Sequence, residues 1–101
     1  MAQTLMSENM SNRQALAFVD LMTAFLKDCI RIPSYGMKDG RLEMAWSFSD
    51  VPNYAFTLEV YDNGRFEWFF RDGNGLVAGS ESSIWRLPDE AWKYLKEHFS
   101  K

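Results

Sequence analysis

The chain has 101 residues, of which 47% are hydrophobic and 16% aromatic, with a net charge of −3. A domain of this length buries about 60–65% of its unfolded surface, enough for one core, so a solenoid, a two-domain architecture and a mainly disordered chain are excluded. The charge balance also excludes binding to bare nucleic acid by phosphate neutralisation, which needs clustered Lys and Arg.

The first ten residues, Met1–Met10, are polar and rich in small residues and read as a flexible tail, leaving residues 11–101 as a single domain. Met1, Met6 and Met10 are equally available as the biological start. The segment has neither the basic n-region nor the apolar h-region of a secretory leader, and no apolar run is long enough to span a membrane. The expected location is cytoplasmic, which suits a chain whose one cysteine, Cys29, can form no internal disulfide.

Ser11 with Gln14 forms the capping box of a helix that runs to about Cys29. Its apolar residues are Ala15, Leu16, Phe18, Val19, Leu21, Met22, Phe25, Leu26 and Cys29, facing a narrow polar stripe of Arg13, Asp20, Lys27 and Asp28. The apolar arc is wider than a one-sided surface helix needs. The helix is therefore expected to touch something on two sides: the sheet, and either a second helix or a partner. Leu16, Val19 and Leu26 are the candidate oligomer face, and Cys29 is expected as a buried small hydrophobe.

Ile30–Ile32 reads as a short extended stretch ending at Pro33, and Ser34–Gly40, with Gly36 and Asp39-Gly40, as a loop. Three alternating runs follow: Leu42, Met44, Trp46, Phe48; then Tyr54, Phe56, Leu58, Val60; then Phe66, Trp68, Phe70. Period two over consecutive segments predicts strands. A weaker fourth strand lies around Leu76–Ser83, where Gly79 suggests an edge or a bulge. Gly73-Asn74-Gly75 joins two strands and lacks the setting of a phosphate loop. Pro88-Asp89-Glu90 opens a second helix running to about Phe99. The fold expected is α+β: helix, four-stranded antiparallel meander, helix, with both helices on one face of the sheet.

Register decides the composition of the other face. A two-residue Asn63-Gly64 turn would put the apolar sides of its two strands on opposite faces, whereas a three-residue loop with Gly64 left-handed brings Val60, Leu58 and Phe56 opposite Phe66, Trp68 and Phe70. Burying these side chains is worth roughly 1.5–3 kcal/mol each, far more than a turn preference. A five-residue loop, Ser49–Asn53, puts Phe48 opposite Tyr54 by the same argument. Glu43, Glu59 and Glu67 then lie in one line across three strands, with Ala45, Thr57 and Phe69 beside them. Like charges directly opposite destabilise a sheet. The row is a solvated face relieved by Arg41, Arg65 and Arg71, a docking surface for a basic protein, or a metal site, for which three flat carboxylates supply too few oxygens. Phe69 is the aromatic that breaks the polar pattern there, and Tyr61, Trp85, Tyr35 and Tyr94 also fall outside the sheet's apolar set.

Catalytic chemistry is not spelled out. The one histidine, His98, reads as a favourable charge at a helix C-terminus, no serine sits in a nucleophile elbow, and no Cys/His spacing suggests zinc. Neither catalytic residues nor a metal nor a cofactor is expected.

Gly40, Leu42, Trp46, Leu58-Glu59-Val60, Gly64 and Glu67-Trp68-Phe69-Phe70-Arg71-Asp72 together resemble a hairpin pattern of small bacterial and phage accessory proteins. The resemblance implies a bacterial or mobile-element origin more than any activity, and it carries over no catalytic residues. By size and charge the chain is also similar to anti-CRISPRs, immunity proteins and antitoxins, which occupy a partner's surface. The function expected is a small acidic, non-catalytic binding module that occludes a basic protein surface, such as a nuclease or nucleic-acid-binding complex, through Glu43, Glu59, Glu67 and Phe69. The alternatives are a homo-oligomeric assembly protein using the first helix, and a small-ligand domain with a pocket at Trp46, Trp68 and Met22.

Overall fold

A computed structural model describes residues 10–82 and 87–101. The expected tail therefore lies, except for Met10, outside the described residues, as do Ser83 and Trp85. Helix α1 spans Asn12–Lys27, and strands β1 (Ser34–Lys38), β2 (Arg41–Ser47), β3 (Tyr54–Val60), β4 (Phe66–Asp72) and β5 (Leu76–Ser82) precede helix α2 (Asp89–His98). The strands form one antiparallel sheet in the order β1-β2-β3-β4-β5. The architecture is α+β with five strands rather than the four expected. The additional strand is β1, which pairs with β2 through the tight turn at Asp39-Gly40, where both residues take positive φ. The turn chemistry that made Ser34–Gly40 read as loop is real but belongs to its last two residues.

The register follows the burial argument. Val60 faces Phe66, Leu58 faces Trp68 and Phe56 faces Phe70, while Leu42, Met44 and Trp46 face Val60, Leu58 and Phe56. Gly64 carries φ +90°, and Tyr61 and Arg65 close the three-residue loop through Tyr61 N–H to Arg65 O at 2.9 Å. All nine of these even-numbered residues are buried. With Leu21 and Phe25 of α1, and Leu95 and Phe99 at α2, they form one core, so both helices cover the same face. Phe25 lies edge-on to Trp46 and to Trp92, and Tyr94 stacks on Phe70 at 4.8 Å, so α1 rests near β2 and α2 near β4.

Trp46 packs edge-on against Phe25 and Phe56, and Trp68 stacks on Phe56. Among the described residues no helix is long and apolar enough to cross a membrane.

Two positions, Cys29 and His98, depart from expectation. Cys29 is exposed, with φ +58°. Helix α1 ends in a Schellman reversal, in which Ile30 N–H reaches Phe25 O at 2.8 Å and Cys29 N–H reaches Leu26 O at 3.4 Å. Cys29 fills the left-handed position of that motif and so leaves the helix's apolar arc. His98 points its Nδ1 at the Tyr54 hydroxyl, 2.8 Å away, and its ring lies 4.6 Å from that of Phe70, so it is part of an aromatic cluster rather than only a charge at a helix end. Ile30 pairs with Ser100, and Arg31 N–H donates to Phe99 O, which fastens the chain end to the segment after α1.

Gln14 does more than complete the capping box. It is fully buried, and its amide nitrogen donates to the carbonyls of Gly40 and Val60, each at 2.9 Å, while its oxygen accepts from Ser11 N–H. The Ser11 hydroxyl donates to Asp62 O, and Arg13 to Asn63 O. The start of α1 is thereby latched to the β1–β2 turn and to the end of β3. Removing a partner from buried carbonyls costs about 1–3 kcal/mol per orphaned group. Gln14→Ala is expected to lower unfolding free energy by about 2–4 kcal/mol, read from the urea midpoint. A loss below about 0.5 kcal/mol would remove the latch from the account.

Candidate functional site

The face of the sheet away from the helices carries the odd-numbered residues of β2–β4, Gly79 and Glu81 of β5, and the even-numbered residues of β1. Its side chains fall into bands perpendicular to the strands. One band runs Gly36, Glu43, Glu59, Glu67, Glu81, each residue opposite the next. The neighbouring band toward the Asp62 loop holds Lys38, Arg41, Tyr61 and Arg65. The band on the other side holds Ser34, Ala45, Thr57, Phe69 and Gly79.

The three glutamates expected in a row are in a row, and the sheet adds a fourth, Glu81. Its place depends on a register irregularity between Phe70 and Arg71, where β5 contributes an extra residue before Leu76 pairs with Arg71. The alternation of Gly79 with Glu81 was the available signal, but the strand's few large side chains do not fix its register from sequence.

The acids are only partly compensated. Arg41 reaches Glu59 at 3.4 Å, and Arg65 reaches Glu81 at 3.1 Å. The Tyr61 hydroxyl donates to Glu67 at 2.9 Å, which holds the phenol above its ordinary pKa, and the Arg65 guanidinium lies over the Tyr61 ring. Glu59, in the middle of the row, is the most constrained. Its side chain is 14% exposed, against 58% for Glu81. Burial raises its pKa above the ordinary 4.5, and neighbours Glu43 and Glu67 push the same way, while Arg41 opposes them.

Phe69 is half-buried and lies across from Gly79. A Cβ at Gly79 would sit 2.8 Å from Phe69 Cδ1 and 2.9 Å from Trp68 O. The glycine is therefore the seat on which the ring rests, an aromatic covering a bare strand backbone. Phe69 is packed against its neighbour strand yet remains on the surface beside the acids. Leu16, Val19 and Leu26, by contrast, stand on the outer side of α1, with exposures of 61%, 60% and 57%. The structure places them far from the carboxylate row, on the opposite side of the sheet.

Among the described residues, no cluster of three or more His, Cys, Asp and Glu is arranged to hold a metal ion. The carboxylates are spread along a line, whereas hard cations draw six or more oxygens around one point. Compared with protein-family models, curated proteins and solved structures, the chain matches none. The resemblance carried by Gly40–Asp72 thus rests on its residues alone.

The sign of the Glu59 shift gives a pH-dependent prediction. A carboxyl whose pKa is raised on folding favours the fold when protonated, and that contribution is lost as pH rises from 4.5 through the folded value. At neutral pH the ionised Glu59 is thus a cost. Glu59→Gln is expected to leave stability unchanged or raise it by about 0.5 kcal/mol at pH 7, with the gain shrinking as pH falls through the window just above 4.5. Urea unfolding at several pH values checks this. A destabilised Glu59→Gln protein would mean that the Arg41 pair outweighs the repulsion.

Proposed function

We propose that the open face of the sheet is a protein-docking surface and that the chain is a non-catalytic binding module. The observation that carries this reading is the line of Glu43, Glu59, Glu67 and Glu81 across adjacent strands, with a carboxyl in its centre whose pKa is pushed up by burial and like charge. A fold gains nothing from that arrangement by itself. A partner that brings Lys or Arg to the row would relieve the repulsion and gain charge-assisted hydrogen bonds.

The adjoining band supports the same reading. Phe69 on its Gly79 seat offers a rigid aromatic contact beside the acids, flanked by the small side chains of Ala45 and Thr57. Aromatic anchors next to charged rims are the usual composition of protein interfaces. The partner inferred is a protein with a basic surface, of the kind that nucleases and nucleic-acid-binding complexes present to phosphates. Binding would occlude that surface, as an inhibitor or neutraliser does. Arg41 and Arg65 border the row and favour a partner whose basic residues are confined to a ridge.

Affinity capture from the native host or from its infected cells, with the wild-type chain as bait, tests the proposal. A bait carrying Glu43→Lys, Glu59→Lys and Glu67→Lys is expected to lose the captured protein, and the corresponding triple Gln bait to retain at least tenfold less, with circular dichroism unchanged in both. Undiminished capture by the charge-reversed bait would refute the site.

A further inference from the structure

We propose that a second copy of this chain docks on the β1 edge, pairing β1 antiparallel with its own copy about a two-fold axis through Gly36. The surface adjoins the end of the carboxylate row and shares Glu43 with it, but it needs no basic partner protein. It rests on the edge, on an apolar band and on charge.

The edge is open. Beside that edge a groove of about 360 Å³ lies on the open face over β1 and β2, lined by Ser34, Gly36, Lys38, Glu43 and Ala45 among others. On the open face, no described atom lies within 4 Å of where a Cβ on Gly36 would stand. An unpaired edge strand is a template for another strand.

An apolar band leads into that edge. The ring of Phe18 meets that of Tyr35 at 5.0 Å, joining α1 to β1. From Phe18, helical geometry carries the band outward around α1 through Met22 to Leu26, Val19 and Leu16. Leu16, Val19 and Leu26 are more than half exposed, and Tyr35 is 49% exposed. Together these leave on the order of 400 Å² of apolar surface, the size of the largest patch on a typical monomer.

Charge selects this edge and a copy as its occupant. The carboxylate row ends at Gly36, so β1 brings no acid to the dyad, whereas the opposite edge of the sheet carries Glu81. Antiparallel pairing centred on Gly36 sets Tyr35 against Met37 of the second copy and Ser34 against Lys38 of the second copy. That Lys38 then lies two strands from Glu43. The Cβ separation is about 12 Å, from strand spacings of ~4.8 Å and rises of ~3.4 Å, a gap that an extended Lys and Glu span together. Gly36, lacking a side chain, leaves the path between them clear. The two-fold repeats the pair, giving a self-complementary, closed interface.

Sedimentation and light scattering at high micromolar concentration are expected to give twice the 11.8 kDa chain mass. Lys38→Glu is expected to weaken the dimer at least tenfold, and Lys38→Glu with Glu43→Lys to restore it. In a Cys29→Ser background, Gly36→Cys is expected to form a covalent dimer under oxidising conditions, because the two positions meet on the axis. A monomer at that concentration overturns the proposal. So does a dimer that neither responds to Lys38→Glu nor cross-links through position 36.

Discussion

The open face owes its composition to the one-sidedness of the core. Leu42, Met44, Trp46, Phe56, Leu58, Val60, Phe66, Trp68 and Phe70 must all turn toward the two helices, and each is buried. At roughly 1.5–3 kcal/mol per side chain, their burial outweighs any cross-strand charge term, which is worth about 0.2–1 kcal/mol. A slip of one residue in any strand would reverse its faces. The residues between them therefore have no freedom of position: Glu43, Glu59 and Glu67 meet because their neighbours are large and apolar. Gly64 at φ +90° and the Gln14 latch onto Gly40 O and Val60 O hold the same register from outside the strands.

The resulting face is ordered in bands, and the bands matter more than the net charge of −3. Cations at Lys38, Arg41 and Arg65 border the acids on one side, and Ala45, Thr57 and Phe69 border them on the other. Arg41 and Arg65 pair with Glu59 and Glu81, so compensation is local and incomplete. Pairing through β1 would set two such faces side by side in one continuous sheet, with the two carboxylate rows separated by two glycines. A single partner with paired basic ridges, or two partners at once, would fit that surface. The helix stripe and the open face thus lie on opposite sides of one layer.

Large side chains at period two made β2, β3 and β4, their connecting loops and the row of three glutamates legible in the sequence. Where that signal thins, legibility ends. Ser34-Tyr35-Gly36-Met37-Lys38 has only two large residues on the core side, and the Asp39-Gly40 turn hid a strand behind loop chemistry. Glu81 belongs to the row because of an irregularity opposite Phe70 and Arg71 that no residue pattern announces. Cys29 left the apolar arc because a Schellman end is a backbone event, and neither glycine nor asparagine was there to mark it. Gln14 was recognisable as a cap, but its second role depends on carbonyls 26 and 46 residues away. The Tyr54–His98 bond spans 44 residues and was likewise invisible.

The central claim is that the core's register forces carboxylates together and leaves Glu59 ionised at a cost. The most direct measurement is a carbon-13 NMR titration of the Glu59 side-chain carboxyl in the folded protein. The midpoint is expected above the ordinary 4.5. A midpoint at or below 4.5 would show that Arg41 dominates, and would remove the electrostatic ground for reading the row as a contact surface.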